Sequence, residues 1–165
     1  MGVNQTSGGL SSAVLLEEQI KLTLPALTIT DALEIGEIAK FFGQDSSLPI
    51  AVEVRLGDWI IYHASLPGSN AENQSWIDRK ARVVMLKQHS TLFERVSAQE
   101  RGVDWFVENK LTDDTYAIHG GGLPLITQSD GFVGVLLISG LPQIEDHLLG
   151  VKVLTEFLAR KGELI

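Results

Sequence analysis

Apolar positions along this chain fall into helical and strand periods, broken by glycine, proline and asparagine. Residues 10–24 predict a first helix with Val14, Leu15 and Ile20 on its buried side and Pro25 as its stop. Thr30 is the expected cap of a second helix. Asp31 and Glu34 suit its positive first turn, Leu33, Ile35, Ile38 and Phe42 supply apolar cover, and Gly43 lies just past its end. From residue 49 to 56 the period changes to two: Ile50, Val52, Val54 and Leu56 alternate with Ala51, Glu53 and Arg55, the mark of a half-buried strand. Gly57-Asp58 then turns the chain into a second strand, residues 59–63, so the two form a hairpin.

A long helix is expected over residues 71–88, with a break at His89-Ser90, helical continuation over 92–99 and a short helix over 103–111. Residues 115–118 predict a strand entering the turn His119-Gly120-Gly121-Gly122. Residues 123–128 predict a strand leaving it, and residues 132–139, the most apolar stretch, a central strand. Pro142 opens a C-terminal helix at its first position with Glu145 and Asp146 nearby, and Ile144, Leu148, Val151, Leu154 and Leu158 form its core stripe. Hairpins without βαβ alternation imply an antiparallel sheet with helices on its faces, an α/β chain of the α+β type.

Composition narrows the function classes. With 165 residues the chain fits one domain, expected over residues 10–165 behind a mobile Gly/Ser/Asn-rich segment, residues 1–9. Cysteine is absent, which excludes disulfides, iron–sulfur clusters and Cys-ligated zinc. Apolar runs stop well short of ~20 residues, so no membrane span is expected. The first ten residues lack a basic region followed by an apolar core, so no signal peptide is expected; Thr6 matches myristoylation spacing as a chance event. A formal charge of −8 argues against nucleic acid as a partner. The expectation is a cytoplasmic protein.

Four places hold candidate chemistry. In His119-Gly120-Gly121-Gly122 the glycines permit positive φ and can leave amide N–H groups open to a carboxylate or phosphate, beside an imidazole able to act as acid, base or ligand. The alternative is a purely geometric turn. It is no phosphate loop, because the lysine and hydroxyl residue that follow such loops are missing. His147, next to Asp146, falls in register with the last helix's apolar stripe; it is either a satisfied core residue or an imidazole kept neutral by a helix N-terminus. On the long helix Arg79, Lys80, Arg82 and Lys87 share one side with Trp76, Val83 and Leu86, opposite a core face of Ile77, Ala81, Val84 and Gln88. That mixed side suits an anion site, a subunit interface or plain solvation. His63 is expected at the surface, and Ser90 beside His89 as a helix cap. No HExxH spacing and no G-x-S-x-G elbow occurs, against a zinc protease or an α/β-hydrolase.

Four segments in order, Ser75-Trp-Ile-Asp-Arg-Lys80, Lys87-Gln-His-Ser90, Tyr116-Ala-Ile-His-Gly-Gly-Gly122 and Ile138-Ser-Gly-Leu-Pro-Gln-Ile-Glu-Asp-His147, give the chain a family likeness. Over residues 30–158 it resembles the branch of the haem-degrading-domain superfamily related to HbpS and GlcG-like proteins. The resemblance implies a profilin-like α-β-α sandwich around an antiparallel sheet, and symmetric homo-oligomers built from dimers. It also implies haem as a candidate cofactor. The motif positions carried over are Trp76, Arg79, Lys80, His89, Ser90, His119, Gly120, Gly121, Asp146 and His147. For haem, His119 or His147 would be the axial ligand, the Trp76/Val83/Leu86 side the slot, and Arg79 and Lys80 the propionate partners. Three functions remain open: a small-molecule-binding oligomer taking haem or another anion, a non-enzymatic assembly or chaperone-associated protein, and an enzyme on a small carboxylate with a histidine acid/base. No metal site is expected.

Overall fold

The computed structural model describes residues 7–162. Of the segment expected to be mobile, residues 1–6 and with them Thr6 lie outside the described residues; Ser7 is buried. In order come α1 (Ser12–Lys21), α2 (Ile29–Asp45), β1 (Ala51–Leu56), β2 (Trp59–Ser65), α3 (Ala71–Lys87), α4 (Thr91–Glu100), α5 (Trp105–Asn109), β3 (Gly122–Thr127), β4 (Gly131–Ser139) and α6 (Gln143–Arg160). The strands form one antiparallel sheet in the order β2-β1-β4-β3. This is the α+β sandwich that the sequence implies.

Alternation along the strands sorts two cores. Val52, Val54, Leu123, Leu125, Leu136 and Ile138 face Ile35, Ile38 and Ala39 of α2 and Val153, Leu154 and Phe157 of α6. The opposite face carries Ala51, Val135 and Leu137 against Ile77, Ala81 and Val84 of α3, the i, i+4, i+7 stripe the periodicity gives that helix. Both faces are therefore covered, and β1 is not half-buried as its alternation suggests. Glu53, on its supposed wet face, is buried because Arg55, 2.5 Å away, and His63, 2.9 Å away, bind its carboxylate beneath α3.

Local chemistry moved several boundaries. α2 is capped by Thr28, not Thr30: the Thr28 side chain accepts the Asp31 N–H while Asp31 accepts the Thr28 N–H, a reciprocal box that starts the helix earlier. α2 also runs through Gly43 to Asp45, and Gly43 serves as a close-packing position where a side chain would strike Leu66 and Ile50. Pro142 is the cap of α6 and not its first residue. In α1 only Leu15 of the three expected core residues is buried; Val14 and Ile20 are exposed, because the helix lies on α4 along one narrow seam with Leu92 and Val96. Leu33 and Leu148 are likewise exposed, and the buried stripe of α6 is completed by Leu149, Val153 and Phe157.

The strand expected over residues 115–118 does not form. Helix α3 takes its hydrogen bonds instead. Arg79 donates to the Asp113 carbonyl at 3.0 Å, Arg82 donates to the Thr115 carbonyl at 3.0 Å, and the Ala117 N–H donates to the Arg79 carbonyl at 3.2 Å. The segment thus lies along α3 and delivers His119 to the end of the sheet.

Candidate functional site

Helix α3, the glycine turn and the start of α6 meet above the ends of β3 and β4. Lys80, expected on the mixed basic and apolar side of α3, is 2% exposed. Its Nζ donates to the Ile138 carbonyl at 2.9 Å and to Asp146 Oδ2 at 3.3 Å. Asp146 also accepts the Gly140 and Leu141 N–H groups at 3.3 and 3.0 Å. Burial pushes the Asp146 carboxyl up to about 6, against the pull of Lys80 and the two backbone donors, and burial likewise lowers the Lys80 ammonium against the pull of Asp146.

The glycines explain how these groups come so close. Gly121 has φ +123°, and a Cβ there would run into the Ile138 carbonyl and lie 2.7 Å from Lys80 Nζ. At Gly120 a side chain would meet the Gln143 carbonyl and, at 3.2 Å, His147 Cβ. The amides expected to be open to an anion are partly spoken for: Gly120 N–H donates to Gln143 Oε1 at 3.0 Å and Gly122 N–H to Thr91 Oγ1 at 3.1 Å. The turn is primarily a close-packing device.

His119 stands at the rim and is exposed. Its ring meets Trp76 edge-on, centroids 4.6 Å apart, and Arg79 lies 4.0 Å over the other ring of this stack, that of Trp76. Burial of the ring's inner side, then the charges of Arg95, Lys80 and Arg79, lower its pKa to about 4, so at neutral pH it offers a free nitrogen lone pair.

The Trp76–His119 contact separates two cavities. A polar cleft of about 280 Å³ is lined by Asn73, Lys80, Ser139, Gln143 and Asp146 as well as Trp76 and His119. On the other side a cavity of about 160 Å³ is lined by Arg79, Arg95, Phe106, Asp113, Tyr116, Ala117 and Ile118 with the same two rings. Trp76, Arg79, Lys80, His119, Gly120, Gly121 and Asp146 are thus brought together.

The remaining candidates lie elsewhere. His147 is 1% exposed, and its Nε2 pairs with Glu18 Oε1 of α1 at 2.7 Å. His89 packs on Phe93, centroids 4.4 Å apart, and Ser90 caps α4 by accepting the Phe93 N–H. His63 is exposed, as expected, on β2. Sequence reasoning missed Asn73, Ser139, Gln143, Arg95 and Tyr116. Asn73 had a visible signal, its box with Asn70 at the start of α3, and donates to Ser139 Oγ at 3.1 Å.

The haem arrangement implied by the resemblance finds its donors but not its slot. His119 and Arg79 fit, but Val83 is sealed in a core with Trp105 and Lys80 is held by Asp146. An apolar cavity of about 150 Å³ admits one benzene ring, so neither cavity encloses a four-ring macrocycle within this chain. Among the described residues no His/Cys/Asp/Glu cluster could hold a metal, and no helix is long and apolar enough to cross a membrane.

Comparison with known proteins agrees on the fold and the family. A UPF0303 protein of Streptomyces avermitilis is 38% identical over 143 residues, 87% of this chain and 88% of that protein. The crystal structure of the Ybr137w protein superposes with a TM-score of 0.84 at 24% identity, covering 93% of this chain and 91% of that one. The PduOC:heme complex superposes with a TM-score of 0.66 at 19% identity, covering 79% and 94%. At these identities the two structures share its fold. The family model described as haem degrading protein HbpS-like matches residues 27–155, and the chain belongs to that HbpS-like family.

Proposed function

We propose that this protein binds a small organic anion at the Trp76–His119 contact. The observation that carries the reading is a cavity that gathers two arginines against one acid, Asp113, in an acidic chain: Arg79 and Arg95 face one space, and neither is within ion-pair distance of a carboxylate among the described residues. An unpaired, part-buried guanidinium is costly to keep unless something negative joins it. Neutral His119 adds a hydrogen-bonding edge without charge. A cytoplasmic location belongs to the same proposal.

The test is titration of the purified chain with small carboxylates, inorganic phosphate and haem, followed by tryptophan fluorescence and calorimetry. Saturable anion binding that weakens in Arg79→Gln and His119→Ala, but not in His63→Ala, is the expected result. A Soret shift at stoichiometric haem that disappears in His119→Ala, without any anion binding, would replace the small anion with haem, the ligand of the PduOC complex.

A second reading, self-assembly, has its own support. Ile29 and Leu33 are exposed one turn apart on α2, and Trp59 and Ile60 are exposed on the edge strand β2. Light scattering tests it: homo-oligomers that dissociate in Trp59→Ser are expected, and a monomer at all concentrations would sink the reading.

A further inference from the structure

Arg95 has no counterpart in the sequence motifs, and its surroundings are specific. It projects from α4, and its Nε is buried without a hydrogen-bond partner among the described residues. Burial lowers its pKa. Native structures rarely leave a buried donor unmatched, so such a group calls for a partner. Arg95 lines the cavity of about 160 Å³ together with Arg79, whose own guanidinium is already fixed by the Asp113 carbonyl and the face of Trp76. One guanidinium is thus preorganised, and the other lines the cavity with no carboxylate within ion-pair distance among the described residues.

Much of the rest of the wall is aromatic, with His119, Ala117, Ile118 and one acid, Asp113, completing it. Trp76, Phe106 and Tyr116 line it, and Trp105 backs it, its ring centroid 5.1 Å from that of Phe106 and 6.4 Å from that of Tyr116. The volume matches the roughly 150 Å³ that accepts a single benzene ring. A phosphate or acetate would meet the cations but leave the aromatic wall without contacts. A flat ring bearing a carboxylate uses both, since a guanidinium presents paired donors matched to a planar carboxylate.

Building on the anion-binding reading above, we propose that this cavity is a site for an aromatic monocarboxylate of benzoate size. Arg95 and Arg79 hold the carboxylate, and Trp76, Phe106 and Tyr116 hold the ring.

The experiment is calorimetry on the full chain with benzoate, cyclohexanecarboxylate, acetate and inorganic phosphate, together with tryptophan quenching. Benzoate is expected to bind and to quench, with acetate and phosphate at least about tenfold weaker. Arg95→Gln should weaken benzoate by about tenfold or more, while Arg101→Gln, an exposed arginine paired with Glu108, leaves it unchanged. Circular dichroism melts of each variant separate lost binding from lost folding, and Arg95→Lys should restore part of the affinity. Benzoate binding that is equal in Arg95→Gln and the parent chain overturns the proposal. So does acetate or phosphate binding through Arg79 with no preference for benzoate, an outcome that leaves the general anion reading standing. No binding of any anion removes both.

Discussion

Lys80 Nζ and Asp146 Oδ2 lie 3.3 Å apart, joining the middle of α3 to the first turn of α6 across the close approach that Gly121 leaves open. Both side chains are almost fully buried. The pair therefore fixes how the two helices that line the polar cleft sit relative to each other. Its energetics follow the rule for buried ions, in which breaking the pair costs more than replacing it.

Lys80→Met should destabilise the chain by about 3–5 kcal/mol, because the Asp146 carboxylate is left buried without its cation. The double variant Lys80→Met/Asp146→Asn should recover much of that loss, since the introduced amide still accepts the Leu141 N–H and carries no charge. Urea denaturation of the parent chain and both variants checks this; a double variant no better than the single one would mean that packing, not charge, holds the helices.

Gly121→Ala should unfold the site or cost several kcal/mol, as both its φ and its contact with the Ile138 carbonyl forbid a side chain. Gly131→Ala is the control: its φ is +74° but a Cβ there meets open space, so about 1–2 kcal/mol is expected. Thermal melts of both variants rank the two effects.

His119 and Asp146 should bend the pH dependence of stability in opposite directions. His119 drops from 6.5 to about 4 on folding, so the unfolded chain holds more protons between those values. Its contribution is complete above pH 6.5 and is lost as pH falls toward 4. Asp146 rises from 3.8 to about 6, so the folded chain holds more protons in that window, and stability is lost as pH rises through it. Relative to the parent chain, His119→Gln should make stability fall more with rising pH between about 4 and 6, and Asp146→Asn should make it rise more. Denaturant midpoints across that range give the slopes, and proton NMR of the His119 ring should show it neutral at about pH 6.

Glu18→Ala should loosen α1 by removing the partner of buried His147, at a cost of about 1.5–3 kcal/mol. Hydrogen exchange should rise in α1 first, ahead of α2 and α6. The remaining ties of α1 to α4, Ser12 with Glu100 and Leu15 with Leu92 and Val96, limit the effect. Uniform acceleration across the chain would mean that α1 is part of the global fold.

The apolar pattern was enough for the hairpin, for α3 and for β4: the hairpin strands alternate, α3 presents one stripe to the sheet, and β4 is a continuous apolar run buried on both faces. The same pattern placed the start of α2 two residues late, since a capping box depends on which of two threonines reaches back. It turned residues 115–118 into a strand, because nothing local in that apolar stretch says that Arg79 and Arg82 will take its carbonyls.

The sequence by itself determined the α+β class and the family through its four motif segments, and it marked the triple glycine as a place of interest with a geometric turn as the alternative. Tertiary structure decided where those motifs meet. It buried Lys80 against Asp146 across 66 positions of chain, sent His147 to Glu18 across 129 and left His119 at a rim between two cavities. It also left Arg95 Nε buried with no hydrogen-bond partner among the described residues, a property no single-residue pattern records. The reason is that helix and strand periods are local, whereas ion pairing and cavity walls depend on elements brought together only when the sheet closes.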